Sequence, residues 1–368
     1  MNIRSYLARY FTLILVFVFI GAPAVKAQLQ PNLADSFLNF INVNKSRSSV
    51  YITLNDTVIS RLNENKLMPL ASTVKIMVAI EFAQQSIHEV INENEYVALS
   101  ELNKYYIPNT DGGAHESWLE YARKTNAIQG DSVKLIDVAR GMIMYSSNAN
   151  TEYLMGILGF DAVKDNISLF KLKQHTAIYP LVGSLFMYQL EQKKSKKKNT
   201  EDALVKELAK LSDKQYSYEA YNHHLDLKED STFKDSFKPE AFTPKLQKLW
   251  SNRLPASTTK DYVQLVSALN NREVLDEDVY FTIGETLEYP MENKAFQKVF
   301  KHYGAKGGST AYVLTHVIYL TMKNGTRMEM AIFFNDLTPA EEKKLEQWLD
   351  PFEAQVIFDP AFRPKIKF

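Results

Sequence analysis

The chain has 368 residues, of which 45% are hydrophobic and 12% aromatic, and it contains no cysteine. This length fits two domains or one large two-lobed unit, the composition excludes a disordered or collagen-like chain, and the absence of cysteine excludes disulfides and thiolate nucleophiles or ligands. The 43 lysines and arginines balance the 43 aspartates and glutamates, so net charge gives no attraction to nucleic acid. The seven histidines form no metal-binding spacing, and we predict neither a metal nor another cofactor.

Residues 1–27 have the three parts of an export signal. Two arginines precede a short apolar run at 11–20, and small residues follow it. The run is too short to cross a bilayer as a helix, which takes roughly 20 residues. We predict cleavage after Ala27, or after Ala24 as the second choice, and an exported protein, periplasmic or secreted, with no stable membrane span. An uncleaved anchor is the alternative.

The remainder, 28–368, is predicted to be one domain with strands near both ends and helices between them. The elements predicted in chain order are a helix at 32–42, a hairpin at 49–62, helices at 69–85 and 132–144, a hairpin with strands at 311–322 and 327–334, and a last helix at 338–348. Because the strands lie at both ends, we predict an α+β fold in which one antiparallel sheet is built from both chain ends, with helices on its faces.

The stretch at about 191–245 differs from its surroundings and is predicted to be a solvated loop followed by an inserted helical segment. It begins with a lysine-rich run at 193–198, which by itself is compatible with a nucleic-acid or membrane patch. Glu201 and Asp202 follow at once, so a solvated surface is the better interpretation.

Ser72 and Lys75 form a Ser-x-x-Lys pattern at the start of a predicted apolar helix. A serine there lies near exposed backbone N–H groups and the positive end of the helix dipole. A lysine three residues later lies on the same face, and half-burial by the apolar helix would lower its pKa so that it can accept the serine proton. The ordinary alternative is a serine N-cap with a lysine that extends to solvent, and the pattern occurs four more times in the chain.

Ser146 and Asn148 form a Ser-x-Asn pattern just after the helix predicted at 132–144. A serine hydroxyl can relay a proton, and an asparagine amide can pair with a peptide-like substrate amide. By itself the pattern also fits an ordinary polar helix end.

The third pattern is Lys306-Gly307-Gly308-Ser309, just before the strand predicted at 311–322. Two glycines at the start of a strand indicate close approach by a ligand. The backbone N–H of Ser309 could face a developing oxyanion, and Lys306 could attract a carboxylate. The ordinary alternative is a glycine turn that leads into a strand.

In this order the three patterns resemble those of class A β-lactamases and penicillin-binding proteins, whose usual forms are Ser-x-x-Lys, Ser-Asp-Asn and Lys-Thr-Gly. The segments at 68–75, 144–148 and 258–262 carry the resemblance, which extends over most of 30–360 outside the insertion at 191–245. It implies a β-lactamase-like fold with a helical lobe beside the sheet.

The resemblance also implies the roles of the catalytic residues. Ser72 would be the acylated nucleophile, Lys75 the base or part of the proton path, and Ser146 the group that carries a proton to the leaving nitrogen. The backbone N–H groups of Ser72 and Ser309 would form the oxyanion hole.

The same resemblance implies how a substrate would be held. Asn148 would hold the acyl-side amide, and Lys306 would favour an anionic carboxylate and assist Ser146. Gly307, Gly308 and Ser309 would line the same strand of the substrate site.

Four departures from the family pattern are visible. The Glu-x-x-Leu-Asn loop that drives deacylation is not found, and the expected region, 175–184, has no acid. Ser147 replaces the motif aspartate, and Gly307 replaces the motif hydroxyl residue, for which Ser309 is a candidate substitute. Glu152 stands where the family has an asparagine; we expect it on the surface, with a position on the site side as the alternative.

These residues predict a serine hydrolase acylated by a β-lactam, with slow hydrolysis because the glutamate loop is missing. The first alternative is a D-alanyl-D-alanine peptidase acting on cell-wall peptides, and the second is a non-catalytic binding or sensing module on the same scaffold. The expected partners are therefore a small-molecule β-lactam or a D-alanyl peptide, and no nucleic acid.

Overall fold

The computed structural model describes residues 31–190 and 200–368. The export signal predicted at 1–27 and the lysine-rich run at 193–198 lie outside these residues. No helix in the described part is long and apolar enough to cross a membrane. In the same part, no group of three or more His, Asp or Glu side chains could hold a metal ion.

Helices account for most of the described chain. They are α1 Pro31–Val43, α2 Lys75–Ile87, α3 Leu99–Asn103, α4 Ala114–Lys124, α5 Leu135–Met144, α6 Asn148–Leu158, α7 Phe160–Leu169, α8 Glu201–Lys210, α9 Asp213–Glu229, α10 Pro244–Arg253, α11 Thr259–Asn271, α12 Glu277–Leu287, α13 Lys294–Val299 and α14 Pro339–Phe358. Two short 3₁₀ turns, Ala71–Val74 and Gly183–Tyr188, border the site described below.

The strands form one main sheet and two small ones. They are β1 Ser48–Leu54, β2 Thr57–Leu62, β3 Met68–Pro69, β4 Tyr96–Ala98, β5 Ile128–Gln129, β6 Ser132–Lys134, β7 Ala256–Ser257, β8 Phe300–Thr310, β9 Val313–Met322 and β10 Arg327–Phe334. The main sheet is antiparallel with the order β2-β1-β10-β9-β8. Strands from both chain ends therefore form one sheet, which confirms the predicted α+β class.

Successive residues of β10 enter two different cores because side chains alternate across a strand. Ile332 belongs to the core under α1 and α14, where the rings of Phe37 and Phe352 lie 4.7 Å apart. Phe333 belongs to the core of the helical lobe and contacts Tyr262 of α11, with ring centroids 5.8 Å apart. The sheet thus has helices on both faces, and the face toward the lobe carries the site.

Helix α2 lies at the centre of the lobe and is buried over its first nine residues. It packs against α5, α6, α7 and α12. Helices α8, α9 and α10 form a third apolar core with the 3₁₀ turn Gly183–Tyr188.

Three predicted elements have different bounds in the structure. The helix predicted at 69–85 begins later, because Met68–Pro69 pairs with β7 and a 3₁₀ turn precedes α2. The motif at 306–309 lies inside β8, a strand that the prediction missed because its glycines and charged residues weaken the strand pattern. Helix α14 continues past the predicted end at 348 and contains Pro351, a residue that normally ends a helix.

Candidate active site

Ser72 lies in the 3₁₀ turn Ala71–Val74, immediately before α2. It is partly exposed, whereas Ala71, Thr73 and Val74 are buried. Ala71 has φ +46°, in the left-handed region that costs a non-glycine residue about 1 kcal/mol or more. The chain before Ser72 is therefore held in a strained conformation that presents this serine at the edge of a buried helix.

Strand β8 packs directly against the turn that holds Ser72. A Cβ built on Gly308 would overlap the backbone nitrogen of Ser72 and would lie 2.9 Å from that of Thr73. The hydroxyl of Thr315, on β9, lies 2.8 Å from the Leu70 carbonyl oxygen and 3.1 Å from the Gly308 carbonyl oxygen. Only glycine fits at position 308, and Thr315 fastens the serine turn to the strand.

The backbone N–H of Ser309 points away from the sheet, toward the open edge of β8. A two-residue turn joins the pair Thr310 and Val313, and such a turn is closed by a hydrogen-bonded pair. The next pair, Ser309 with Leu314, is then a non-hydrogen-bonded pair, whose backbone groups face outward. This orientation fits the predicted oxyanion donor, which lies beside the turn of Ser72.

Lys75 is fully buried rather than half-buried as predicted. Its ammonium nitrogen lies 2.6 Å from the Ser146 carbonyl oxygen, 3.2 Å from Ser146 Oγ and 2.8 Å from Asn148 Oδ1. Burial lowers the pKa of Lys75 well below its usual value; the charge of Lys306 lowers it further and that of Asp111 opposes the shift. A lysine in this environment is available as a neutral base.

Ser146 receives hydrogen bonds from two lysines. Lys306 Nζ lies 3.0 Å from Ser146 Oγ and also donates to the Gly307 carbonyl oxygen at 2.8 Å. Because both lysine nitrogens donate to Ser146 Oγ, its own hydroxyl proton is free to be donated. Ser146 has φ +67°, a strained conformation that aims its side chain at both lysines.

Lys306 is nearly buried, and burial lowers its pKa to about 7. Around neutral pH it is therefore divided between its charged and neutral forms. Only the charged form can attract a substrate carboxylate, so the predicted role of Lys306 depends on pH in the physiological range.

The structure brings five of the predicted site residues into direct contact: Lys75, Ser146, Asn148, Lys306 and Gly307. Gly308 joins them through its packing on the backbone of Ser72. The three sequence patterns, separated by up to 234 positions, thus meet at one place.

Asp111 is a site residue that the sequence patterns missed. Its carboxylate accepts the backbone N–H groups of Gly113 at 3.2 Å, His115 at 3.1 Å and Asn148. Burial raises the pKa of Asp111, whereas the charge of Lys75 and these N–H donors lower it. Asp111 therefore holds the first residue of α6 in place and supplies a negative charge whose field reaches Lys75.

Replacing Asp111 with asparagine should move the acid limb of the acylation pH profile to lower pH. Lys75 accepts a proton only when neutral, and removing the nearby negative charge of Asp111 lowers the pKa of Lys75 further. The check is the second-order acylation rate constant measured against pH, with the exposed Asp131→Asn as the matched control. If the acid limb of the Asp111→Asn profile coincides with that of wild type, Asp111 has no electrostatic influence on Lys75.

Glu152 is fully buried, so the expectation of a surface glutamate is wrong. Its carboxylate accepts the backbone N–H groups of Val182 at 2.9 Å and Gly183 at 3.1 Å, and lies 3.2 Å from His224 Nδ1. A Cβ on Gly183 would overlap the Ala220 carbonyl oxygen. Glu152, on α6, thus links the segment 175–184, in which the family's glutamate is missing, to α9.

The other departures from the family pattern also have structural explanations. Ser147 caps α6, because its hydroxyl accepts the N–H of Asn150 at 3.2 Å and lies 2.8 Å from His115 Nδ1. The side chain of Ser309 is hydrogen-bonded to Glu342 of α14. The Ser309 hydroxyl therefore lies on the α14 side of β8.

A family comparison agrees with this geometry. The family model described as the beta-lactamase enzyme family matches residues 32–348, which is most of the chain. No curated protein matches the chain at a significant level.

Solved structures share the fold at low sequence identity. TLA-1 extended spectrum β-lactamase is 16% identical over 89% of this chain and 99% of that chain, with a TM-score of 0.50. A β-lactamase from Sphaerobacter thermophilus is 16% identical over 91% and 97%, with a TM-score of 0.53. An acyl-enzyme complex of a PBP-A mutant with penicillin G is 13% identical over 89% and 97%, with a TM-score of 0.50. The extent of the family match and the shared fold lead to one conclusion: this chain belongs to the β-lactamase enzyme family.

Proposed function

We propose that this protein is an active-site-serine hydrolase that is acylated at Ser72 by β-lactams and that releases the product slowly. One observation carries the proposal: the hydroxyl of Ser146 accepts hydrogen bonds from both Lys75 and Lys306, beside the strand that packs on the backbone of Ser72. Acyl transfer needs a nucleophile, a neutral base, a proton carrier and a cation. In the proposal these are Ser72, Lys75, Ser146 and Lys306.

In the proposed acylation, neutral Lys75 takes the hydroxyl proton of Ser72 as Oγ attacks the lactam carbonyl carbon. The backbone N–H groups of Ser72 and Ser309 stabilise the oxyanion, and losing one such donor typically costs on the order of 3 kcal/mol. The carbon–nitrogen bond then breaks, and the leaving nitrogen takes the proton of Ser146. Ser146 is reprotonated from Lys75, so the net transfer is one proton from Ser72 to the leaving nitrogen.

Slow hydrolysis of the acyl-enzyme follows from the absence of a free carboxylate beside Lys75 that could activate water. Within residues 31–190 and 200–368, Lys75 forms no ion pair within 4.0 Å. Glu152 is occupied by two backbone N–H groups and His224, and the segment at 175–184 contains no acid. Because water attack on an ester needs a general base, we expect the acyl-enzyme to form faster than it breaks down.

The same missing acid favours a second candidate, a D-alanyl-D-alanine peptidase. A peptide substrate would acylate Ser72 by the same chemistry as a β-lactam. Its leaving group, D-alanine, diffuses away, whereas the leaving nitrogen of an opened β-lactam stays attached to the acyl group. An enzyme that does not need to hydrolyse lactams has no use for a dedicated deacylating glutamate.

The test is the intact mass of the protein, followed over time after mixing with benzylpenicillin. We expect a gain of one penicillin per chain that persists over many minutes, located by trypsin on the peptide 67–75, which contains Ser72. Rapid loss of the adduct with continuous nitrocefin hydrolysis would establish an efficient lactamase. Release of D-alanine from a D-alanyl-D-alanine peptide would favour the peptidase. No adduct and no release would leave the non-catalytic binding module.

A further inference from the structure

The strained turn at Ser146 is supported by residues outside its own motif. Its φ of +67° lies in the left-handed region, where a non-glycine residue stays only if its surroundings fix it. The two residues that follow it are both held by the loop and first turn of α4. Asp111 accepts the backbone N–H of Asn148, and His115 Nδ1 lies 2.8 Å from Ser147 Oγ. The start of α4 therefore holds the turn in which the proton carrier lies.

The ring of His115 is itself fixed by its surroundings, and the residue is only 3% exposed. The ring stacks on Tyr106, with centroids 4.8 Å apart, and contacts Trp118 of α4, with centroids 5.4 Å apart. The backbone N–H of His115 donates to Asp111 at 3.1 Å. Nδ1 is therefore presented to the catalytic turn at a fixed position.

The hydrogen bond between Ser147 and His115 has a defined direction. Burial lowers the pKa of His115 to about 4, although the side chain of Asn150 opposes the shift. The ring is therefore neutral at neutral pH, and one of its nitrogens is an acceptor. Because Ser147 Oγ already accepts the N–H of Asn150, its own proton is donated to His115 Nδ1.

These contacts assign a role to a histidine that the acylation scheme does not use. We infer that His115 is a positioning residue for the proton carrier Ser146, on which it acts through Ser147. By accepting the Ser147 proton, the ring holds the turn that directs the neighbouring hydroxyl at the two lysines. An ionised aspartate at position 147, as in the family motif, could not donate to a neutral Nδ1, so this device belongs to the present chain. The inference rests on the proposed function, because that function makes Ser146 the proton carrier.

The test compares His115→Asn with His115→Gln. A polar atom of asparagine stands two bonds beyond Cβ, as Nδ1 does, whereas those of glutamine stand three bonds beyond, as Nε2 does. His115→Asn should keep an acceptor for Ser147 and should be acylated by benzylpenicillin within about threefold of the wild-type rate, whereas His115→Gln should be slower by about tenfold or more. The loss should fall on the acylation rate constant and not on the dissociation constant of the noncovalent complex. The matched control is His88→Gln, at an exposed histidine beside Asp276, which should react like wild type.

A double-mutant cycle shows whether His115 acts through Ser147. Ser147→Ala removes the hydroxyl donor, so His115→Gln in that background should slow acylation by no more than about twofold further. If His115→Gln has the same large effect in both backgrounds, the ring acts by packing alone and the inference is overturned. If His115→Gln does not fold, His115→Asn decides by itself, because a tenfold loss in that variant also overturns the inference.

A measurement that needs no acylation separates the inference from the proposed function. Lys75 Nζ donates to the carbonyl oxygen and to Oγ of Ser146, so an NMR titration of the labelled Lys75 side chain reports on the turn. The pKa of Lys75, which burial lowers, should rise toward its ordinary value in His115→Gln and stay low in His115→Asn. This rise in a protein that forms no penicillin adduct would leave the positioning role standing and remove the hydrolase. If wild type is acylated but the two variants agree in rate and in Lys75 titration, the positioning role is wrong.

Discussion

Ser72→Ala should form no covalent adduct with benzylpenicillin. The substitution removes the only oxygen that the proposed acylation uses as nucleophile, and losses on the order of 10⁶-fold in turnover are typical for such a change. The side chain is partly exposed in a turn whose backbone is fixed by Thr315 and Gly308, so folding should be unaffected. The measurement is intact mass together with the melting temperature.

The chain provides its own control for this experiment. Ser168 also begins a Ser-x-x-Lys pattern, but it is exposed at the end of α7. Ser168→Ala should be labelled like wild type. An adduct that survives in Ser72→Ala, or that is lost in Ser168→Ala, would remove Ser72 from the role of nucleophile.

Lys75→Met should slow acylation by about 10²- to 10⁴-fold, the usual contribution of a positioned general base. The melting temperature should change little, because two effects oppose each other. Methionine removes the cost of burying an amine that has no ion-pair partner in the described residues, but it also removes the three hydrogen bonds that Lys75 Nζ donates. The exposed Lys260→Met, from another Ser-x-x-Lys pattern, is the control and should react normally.

The difference in free energy of unfolding between Lys75→Met and wild type should also change with pH, in a direction that the pKa of Lys75 determines. Burial lowers the pKa of Lys75 in the folded state, so between that pKa and the ordinary value of 10.5 the unfolded chain binds the extra proton. Burial of charged Lys75 destabilises the folded state by its full amount at low pH, and this destabilisation disappears as pH approaches 10.5. The stability of Lys75→Met relative to wild type should therefore decrease over that range. A large loss of stability in Lys75→Met at neutral pH would instead assign Lys75 a structural role.

The sequence predicts those parts of the fold that depend on local chemistry. The Asn324-Gly325 turn and the alternating strands around it predict β9 and β10 closely, and the capping box at Thr338 predicts the start of α14. Ser72, Lys75, Ser146 and Lys306 could be selected because their short patterns occur in a fixed order.

The rest of the site depends on contacts that no short pattern encodes. Asp111 lies in a loop with no periodicity, and its importance arises from the start of α6, 37 positions later. The burial of Glu152 depends on His224, which comes from α9.

The main sheet joins the two ends of the chain, and this has a consequence for synthesis. A nascent chain that has emerged as far as residue 299 already contains Ser72, Lys75 and Ser146 but lacks β8, β9 and β10. Until then β1 has no β10 to pair with, and its apolar residues stay exposed to unwanted association. The ribosome must therefore finish nearly the whole chain before any catalytic pocket exists, and a message truncated upstream of codon 306 yields protein without one.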